Sequence, residues 1–192
     1  GRVAFRDKGR EPQGDPGAMP HRGVETVYPP LALAFFSIAG LATHPVLAWK
    51  AMILVAEALS CWLLLGLVAR RRLPTGRAVG YLWSPLVVIE STGMGHVDAL
   101  GVLPLLAALV LVDRGSADRE RRGSSSLPRT VGAALLLCAS VLTKLVPLLL
   151  VPLWTKLSTR PRAFGAAFLV GLGLSIVVAP PTTTWLPPPV PV

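Results

Sequence analysis

Charged residues are scarce in this chain. Only 15% of its 192 residues are Asp, Glu, Lys or Arg, whereas a soluble domain carries about 25%. The hydrophobic residues, 52% of the chain, come in continuous blocks without a helical or strand period. A helix built from such a block is apolar on every side and needs lipid around it. The scarcity of charge therefore argues against a soluble domain and predicts an integral membrane protein.

Acidic residues and cysteines are scarcer still. The chain has 10 acidic side chains against 19 Lys and Arg, a formal net charge of +9. The basic residues stand in short clusters between apolar blocks, a pattern of membrane topology rather than of a phosphate-tracking surface, so no nucleic-acid partner is expected. Cys61 and Cys138 lie inside apolar blocks without the spacing of a zinc site. We therefore expect neither a disulfide nor a cysteine metal site.

The order of the blocks predicts an all-α, polytopic transmembrane helical bundle. Residues 1–30 are polar and predict a non-cytoplasmic loop, residues 31–180 the transmembrane domain, and residues 181–192 a Pro-rich tail. The apolar blocks within that domain are 31–42, 46–69, 78–112, 131–154 and 164–179. Arg and Lys cluster between them at about 70–77, 113–130 and 155–163. The positive-inside bias assigns all three basic connectors to the cytoplasm.

Connectors that share one side require each block between them to enter the membrane and return. Block 78–112 is long enough for a hairpin of two helices, with the polar stretch from Glu90 to Asp98 at its tip. Block 131–154 is too short for two full spans and predicts a broken, re-entrant pair that turns near Lys144 and Pro147. Both turns then lie on the non-cytoplasmic face. The rival interpretation is a single span over 131–154, which would break the charge rule.

Two carboxylates and an imidazole are gathered at the tip of the first hairpin. Glu90 and Asp98 flank His96, and glycines at 93 and 95 allow the backbone to turn sharply. Such a trio can take a proton from a hydroxyl, or the carboxylates can hold a metal. The alternative is that Asp98 caps a helix while Glu90 is merely interfacial.

Lys144 stands at the second turn, where a charge costs about 2.5–3.5 kcal/mol on insertion scales. A cation at a re-entrant tip suits a phosphate or pyrophosphate group. The alternative is a lysine that snorkels to the membrane surface.

Three segments, in this order and spacing, resemble multi-pass GT-C-type glycosyltransferases. They are TVYPPLALAFF at 26–36, YLWSPLVVIESTGMGHVDALGVLPLL at 81–106 and ASVLTKLVPLLLVPLW at 139–154. The resemblance is to bacterial polyprenyl-phosphate-mannose-dependent mannosyltransferases and extends over about residues 20–170. It implies a GT-C-like fold and transfer of a sugar, mannose, from a polyprenyl-phosphate donor on the non-cytoplasmic face.

The resemblance also implies roles for individual residues. Tyr28 and Pro30 match the family's Y-P-P, and Ser84-Pro85 matches its N-P with Ser in place of Asn. The implied catalytic residues are Asp98 and His96, and the implied donor-phosphate ligands are Lys144 and Tyr28. The resemblance also implies Gly95 as a lining residue. Glu90, His21 and Arg22 are further candidate lining residues from their positions in the sequence, and the alternative for His21 and Arg22 is that they are ordinary loop residues. The family's acidic base lies in its first outer loop, and Asp7, Glu11 and Asp15 do not replace it, so an incomplete fragment without its base is expected.

The sequence therefore predicts a fragment of a membrane glycosyltransferase, multi-pass in a bacterial plasma membrane. Its partners are the polyprenyl-phosphate sugar donor, the lipid bilayer and a glycan or lipid acceptor. No cofactor and no metal site is expected, and a divalent metal requirement stays open. The alternatives are a transporter or flippase for a lipid-linked or anionic substrate, which broken helices and buried charges also suit, and a non-catalytic membrane subunit.

Overall fold

The structure, a computed structural model, describes residues 28–122 and 126–178. Within these residues it is all-helical, without a β-strand, as the sequence predicts. The α-helices are α1 (Pro30–Gly40), α2 (Pro45–Arg70), α3 (Gly76–Leu82), α4 (Asp98–Arg122), α5 (Leu127–Thr143), α6 (Val151–Leu157) and α7 (Pro161–Val178). Residues 1–27 of the predicted loop 1–30, which include His21 and Arg22, and the predicted tail at 181–192 lie outside the described residues.

Proline opens five of these helices. Pro30, Pro45 and Pro161 are the first residues of α1, α2 and α7, and Pro128 and Pro152 lie in the first turns of α5 and α6. The first turn has no intrahelical partner for its N–H groups, so proline loses nothing there, and its fixed φ suits the helix. The prolines therefore mark where individual helices begin within the apolar sequence.

Helix α5 lies at the centre of the packing and contacts α4, α7 and α1. Its inward face consists mainly of small and aliphatic residues, among them Ala133, Ala134 and Leu137, all fully buried. Phe164 and Phe168 of α7 fill the space beside them. Helix α2 packs on the other side of α4. Small residues allow the backbones of α4 and α5 to approach closely, as is common between helices in membranes.

Two of the helices are long and apolar enough to cross a membrane, by length and composition. They are Pro45–Arg70 and Asp98–Ala117. Shorter apolar helices are Pro30–Gly40, Leu127–Thr143, Val146–Leu157 and Pro161–Ser175.

The helix break predicted near Lys144 and Pro147 is present. Helix α5 ends at Thr143, Lys144 is extended with φ −150° and ψ 131°, and a 3₁₀ segment at Val146–Leu150 follows. The chain then turns back through α6. Its end comes near the start of α5, where Ser158 and Thr159 line a small cavity together with Arg129 and Thr130. The structure thus has the broken, returning form of block 131–154 and not the single span.

Block 78–112 differs from the expected pair of regular helices. Its second arm, α4, is continuous, but its first arm consists of α3 and a π-helical segment at Leu86–Gly93. Pro85 separates the two because it has no N–H to donate, and its ring crowds the preceding turn. Helix α4 also continues to Arg122, well into the predicted connector 113–130. Its charged end is rich in good helix formers and projects beyond the apolar part of the helix.

The basic connectors meet at one end of the helices. Arg71, just after α2, pairs with Asp113 of α4, with 2.5 Å between Nε and Oδ1. Leu157, at the end of α6, lies beside the same two residues. Asp98 begins α4 at the other end, about 22 Å away along the helix axis. The two ends are therefore distinct in the structure, and the side of the membrane on which each lies stays a prediction.

Candidate functional site

The two helix breaks meet at an ion pair. The Nζ atom of Lys144, directly after α5, donates to Oδ1 of Asp98, the first residue of α4. Both side chains are partly exposed, 47% for Lys144 and 38% for Asp98. Each would be costly alone at membrane depth, and pairing reduces that cost. Because both remain accessible, the pair can still contact a ligand.

A buried contact between α4 and α5 sets this pairing. Ser140 donates from Oγ to the carbonyl oxygen of Gly101 at 2.7 Å, and both groups lie in the interface between the helices. A Cβ at position 101 would lie 3.7–3.8 Å from the Cβ atoms of Thr143 and Lys144. These distances are ordinary van der Waals contacts, so the end of α5 lies directly against the first turn of α4. This register places Lys144 opposite Asp98.

A second acid–base pair lies two residues before Asp98. His96 Nε2 is 3.3 Å from Glu90 Oε2, and both side chains are about half exposed. The backbone N–H of His96 also donates to the carbonyl oxygen of Glu90, at 3.3 Å. The π-helical segment that carries Glu90 ends in wide turns, since the N–H of Met94 donates to Ile89 five residues earlier. Such wide turns are often found at functional sites.

The turn between the π-helical segment and α4 is held by the start of α2. Trp49 Nε1 donates to the carbonyl oxygen of Gly95 at 2.6 Å, and Lys50 Nζ donates to that of Gly93 at 3.3 Å. Gly95 has φ +78°, a conformation that L side chains rarely adopt. A Cβ there would lie 3.3 Å from Trp49 Nε1. Glycine is therefore needed at position 95 both for its backbone conformation and for the space it leaves to Trp49.

Replacing Gly95 with alanine should destabilise the turn by about 1–2 kcal/mol, the cost of a left-handed backbone for an L residue. It should also displace the Trp49 indole. We expect a lower melting temperature of the purified protein. Gly80→Ala is the matched control, because a Cβ there meets nothing within 4 Å. A Gly95→Ala protein as stable as the Gly80→Ala protein would contradict this interpretation of the turn.

An aromatic row joins Tyr28 to the same turn. The Tyr28 and Phe36 rings meet edge to face with centroids 5.2 Å apart, and Phe36 stacks on Trp49 at 4.5 Å. Since Trp49 is hydrogen-bonded to Gly95, the row runs from the start of α1 to the turn before α4. Tyr28 is 48% exposed, so part of the residue is accessible.

Glu57 of α2 holds the π-helical segment in place through hydrogen bonds. Its side chain is buried in α2 and accepts hydrogen bonds from Tyr81 Oη at 2.8 Å and from Ser91 Oγ at 2.5 Å. It thereby ties α2 to α3 and to the segment that carries Glu90. These contacts favour a structural role for Glu57.

Replacing Glu57 with alanine should destabilise the protein by about 1–3 kcal/mol for each hydroxyl left without its acceptor. Glu57→Gln retains an acceptor oxygen and should cost less. Thermal unfolding of the purified variants measures both effects. In a double-mutant cycle with Tyr81→Phe, the two changes should not be additive, because they remove the same bond. Additive losses would show that the bond contributes nothing.

An apolar groove of about 300 Å³ opens beside the ion pair. We call it the tip groove, and it runs between the π-helical segment, α4 and the 3₁₀ segment. Its lining residues are Leu86, Asp98, Gly101, Val102, Leu105, Lys144, Val146, Pro147 and Leu150. The ion pair thus places charged groups in an otherwise apolar lining. This arrangement suits a ligand with a charged head and a hydrocarbon tail.

The sequence-predicted residues are therefore partly brought together. Lys144 and Asp98 are in direct contact, and Glu90 and His96 form a neighbouring pair. Gly95 lies in the turn that joins the π-helical segment to α4. Within residues 28–122 and 126–178, no group of three His, Cys, Asp or Glu side chains could hold a metal ion.

Sequence reasoning missed the residues that position these groups. In the sequence, Trp49 and Phe36 look like ordinary aromatic residues of membrane helices. Ser140 and Gly101 look like ordinary small residues at a helix–helix contact. Each acts through a partner far along the chain. The only signal in the sequence is an indole and a lysine at adjacent positions 49 and 50, at the start of a helix.

The family model described as "Glycosyltransferase family 87" matches residues 26–189, most of the chain. No curated protein and no solved structure matches the chain.

Proposed function

The chain belongs to glycosyltransferase family 87, a family of membrane glycosyltransferases, and we propose that it binds a polyprenyl-phosphate sugar and transfers the sugar. We propose mannose as the sugar and a glycan or lipid as the acceptor. The enzyme lies in a bacterial plasma membrane and crosses it several times. Its reaction takes place on the non-cytoplasmic face, where the ion pair and the tip groove lie.

The observation that carries this proposal is Lys144 at the mouth of the tip groove. A polyprenyl phosphate has a compact anionic head and a long hydrocarbon tail. The lysine is a point charge with three N–H donors, of which one serves Asp98. The ammonium can therefore bind phosphate oxygens without leaving its carboxylate. The apolar walls formed by Leu86, Leu105 and Leu150 suit the first isoprene units.

The chemistry follows from the charges at this site. The acceptor hydroxyl attacks the anomeric carbon of the sugar, and the bond from that carbon to the phosphate oxygen breaks. The leaving phosphate takes the bonding electrons, and Lys144 stabilises the negative charge that develops on it. The acidic base of the resembled family is not found in the sequence, and His96 takes its place: it accepts the proton of the acceptor hydroxyl, and Glu90 at 3.3 Å stabilises the imidazolium. Asp98 accepts hydrogen bonds from sugar hydroxyls and orients the ring.

Tyr28 adds a ring surface on the other side of the turn. Its accessible part can contact an isoprene unit or a sugar ring, and the aromatic row fixes its position relative to Gly95. We place it at the donor side of the site on this ground. His21 and Arg22 stay proposals from the sequence alone as lining residues.

The test uses the purified full-length protein in liposomes with two radiolabelled donors, a polyprenyl-phosphate mannose and a nucleotide mannose. Bacterial membranes supply the acceptor. We expect label to reach the acceptor only from the lipid donor. Polyprenyl-phosphate glucose, offered in parallel, examines the choice of sugar separately. Transfer from the nucleotide sugar in the absence of polyprenyl phosphate would contradict the proposed lipid-linked donor. Preferential transfer of glucose would contradict mannose as the sugar.

A further inference from the structure

A basic cavity of about 520 Å³ lies at the end of the molecule opposite the ion pair. We call it the arginine cavity. Its lining residues are Arg70, Arg71, Asp113, Arg114, Ser116, Ala117, Glu120 and Arg129. It therefore gathers side chains from the end of α2, from α4 and from the start of α5. Four arginines face it against two acids, so its lining carries an excess of positive charge.

The Arg71–Asp113 pair forms a fixed wall of this cavity. Asp113 is only 11% exposed, whereas Arg71 is 61% exposed. The carboxylate is thus enclosed and the guanidinium still has open N–H groups. Arg70 and Arg114 are exposed beside it. An arginine fork binds phosphate oxygens through two parallel hydrogen bonds, which makes such a wall a good anion ligand.

An apolar groove of about 320 Å³ continues from the cavity between α2, α4 and the end of α6. We call it the lateral groove. It shares Arg71, Asp113 and Ser116 with the arginine cavity. The rest of its lining is Leu64, Leu67, Val68, Leu73, Leu109, Val112 and Leu157. A cationic compartment therefore opens directly into a hydrocarbon-lined one.

The positive-inside bias explains why arginines lie at this end, but it does not require them to line one concavity. Like charges gathered in one place repel each other, and a bound anion relieves that repulsion. Basic pockets between membrane helices on the cytoplasmic side are typical sites for anionic lipid headgroups. The adjoining groove adds the space that a lipid tail needs and a free anion does not.

We propose that the arginine cavity binds the phosphate of an anionic glycerophospholipid and that the lateral groove takes one of its acyl chains. This site is separate from the proposed donor site, since Asp98 and Asp113 lie about 22 Å apart along α4. The proposal depends on the membrane setting and on the contacts above, and not on the identity of the sugar donor.

The test measures lipid binding to the purified full-length protein in a neutral detergent by native mass spectrometry. The probes are phosphatidylglycerol and phosphatidylcholine with identical acyl chains. We expect phosphatidylglycerol to bind about tenfold more tightly, since each basic side chain near an anionic lipid adds several-fold. Rising salt should reduce that preference. Equal affinity for the two lipids would overturn the proposal without any variant.

Two pairs of substitutions locate the site. Arg70→Gln/Arg114→Gln removes two cavity arginines and should abolish the preference for phosphatidylglycerol. Arg77→Gln/Arg162→Gln removes the same charge from exposed positions outside the cavity and should leave the preference intact. An equal loss in both pairs would show that only net charge matters and would overturn the cavity as the site.

The lateral groove and the source of the phosphate are tested separately. Leu67→Gln places a polar group in the groove and should weaken phosphatidylglycerol binding several-fold, as burial of a polar group without a partner is costly. Inorganic phosphate should compete only weakly because it has no tail. Full competition by inorganic phosphate at the lipid's own concentration, or unchanged binding by Leu67→Gln, would overturn a lipid ligand in favour of a soluble anion.

Discussion

Replacing Lys144 with alanine should slow sugar transfer by about two to three orders of magnitude, the usual effect of removing one group that stabilises charge in the transition state. The phosphate leaves with a negative charge, and Lys144 is the cation at the tip groove. The same change leaves Asp98 without its partner, so the groove mouth becomes anionic and repels the donor. Initial rates with polyprenyl-phosphate mannose measure the effect, with KM and kcat separated.

Matched lysine variants separate the phosphate role from a structural one. Lys144→Arg retains the charge with a different shape and should recover part of the rate. Lys156→Ala removes an exposed lysine from α6, away from the ion pair, and should have no effect. Melting temperatures show whether Lys144→Ala is still folded. Near-normal transfer by a folded Lys144→Ala protein would refute the proposed role of Lys144 in stabilising the leaving phosphate.

Replacing His96 with alanine should lower kcat by about 10²–10⁴-fold, the range for loss of a general base. The imidazole lies at the tip, with the Glu90 carboxylate as an ionic partner 3.3 Å away. Because both groups are half exposed, the substitution leaves no buried group unpaired and should hardly change stability. Single-turnover transfer with bound donor measures the chemical step directly.

The control for His96 is His44→Ala, an exposed histidine just before α2 whose side chain makes no cap bond. Glu90→Gln retains the shape of the pair without the charge, and its effect should be smaller than that of His96→Ala. Donor binding should be unchanged in the His96 variant, because the proposed phosphate ligand is Lys144. A loss confined to KM would show that His96 binds the donor and is not the base.

Much of the helix pattern could be predicted from the sequence, because it follows from the cost of polar groups in hydrocarbon. The break at Lys144 and Pro147 and the polar tip from Glu90 to Asp98 interrupt blocks that are otherwise apolar. A charge and a proline in such a block have few stable positions other than a turn. The sequence therefore located both interruptions, and the structure has a break at each.

The irregular first arm of block 78–112 could not be predicted from its apolar composition. The π-helical segment depends on Glu57, which accepts a hydrogen bond from Ser91 across 34 residues of chain. The left-handed turn at Gly95 depends likewise on Trp49. Hydrophobic periodicity reports which face of an element is apolar, and it carries no information on a hydrogen bond between two elements.

The sequence by itself determined that the described chain is helical, that it belongs with membrane proteins, and where its apolar blocks are interrupted. Those properties follow from the transfer free energy of each residue, which depends on residue type and order alone. Only the tertiary structure decided that Lys144 meets Asp98, 46 residues away, and that four arginines share one cavity. Such pairings depend on helix register, which the packing of α4 on α5 and the buried hydrogen bond from Ser140 to Gly101 hold here.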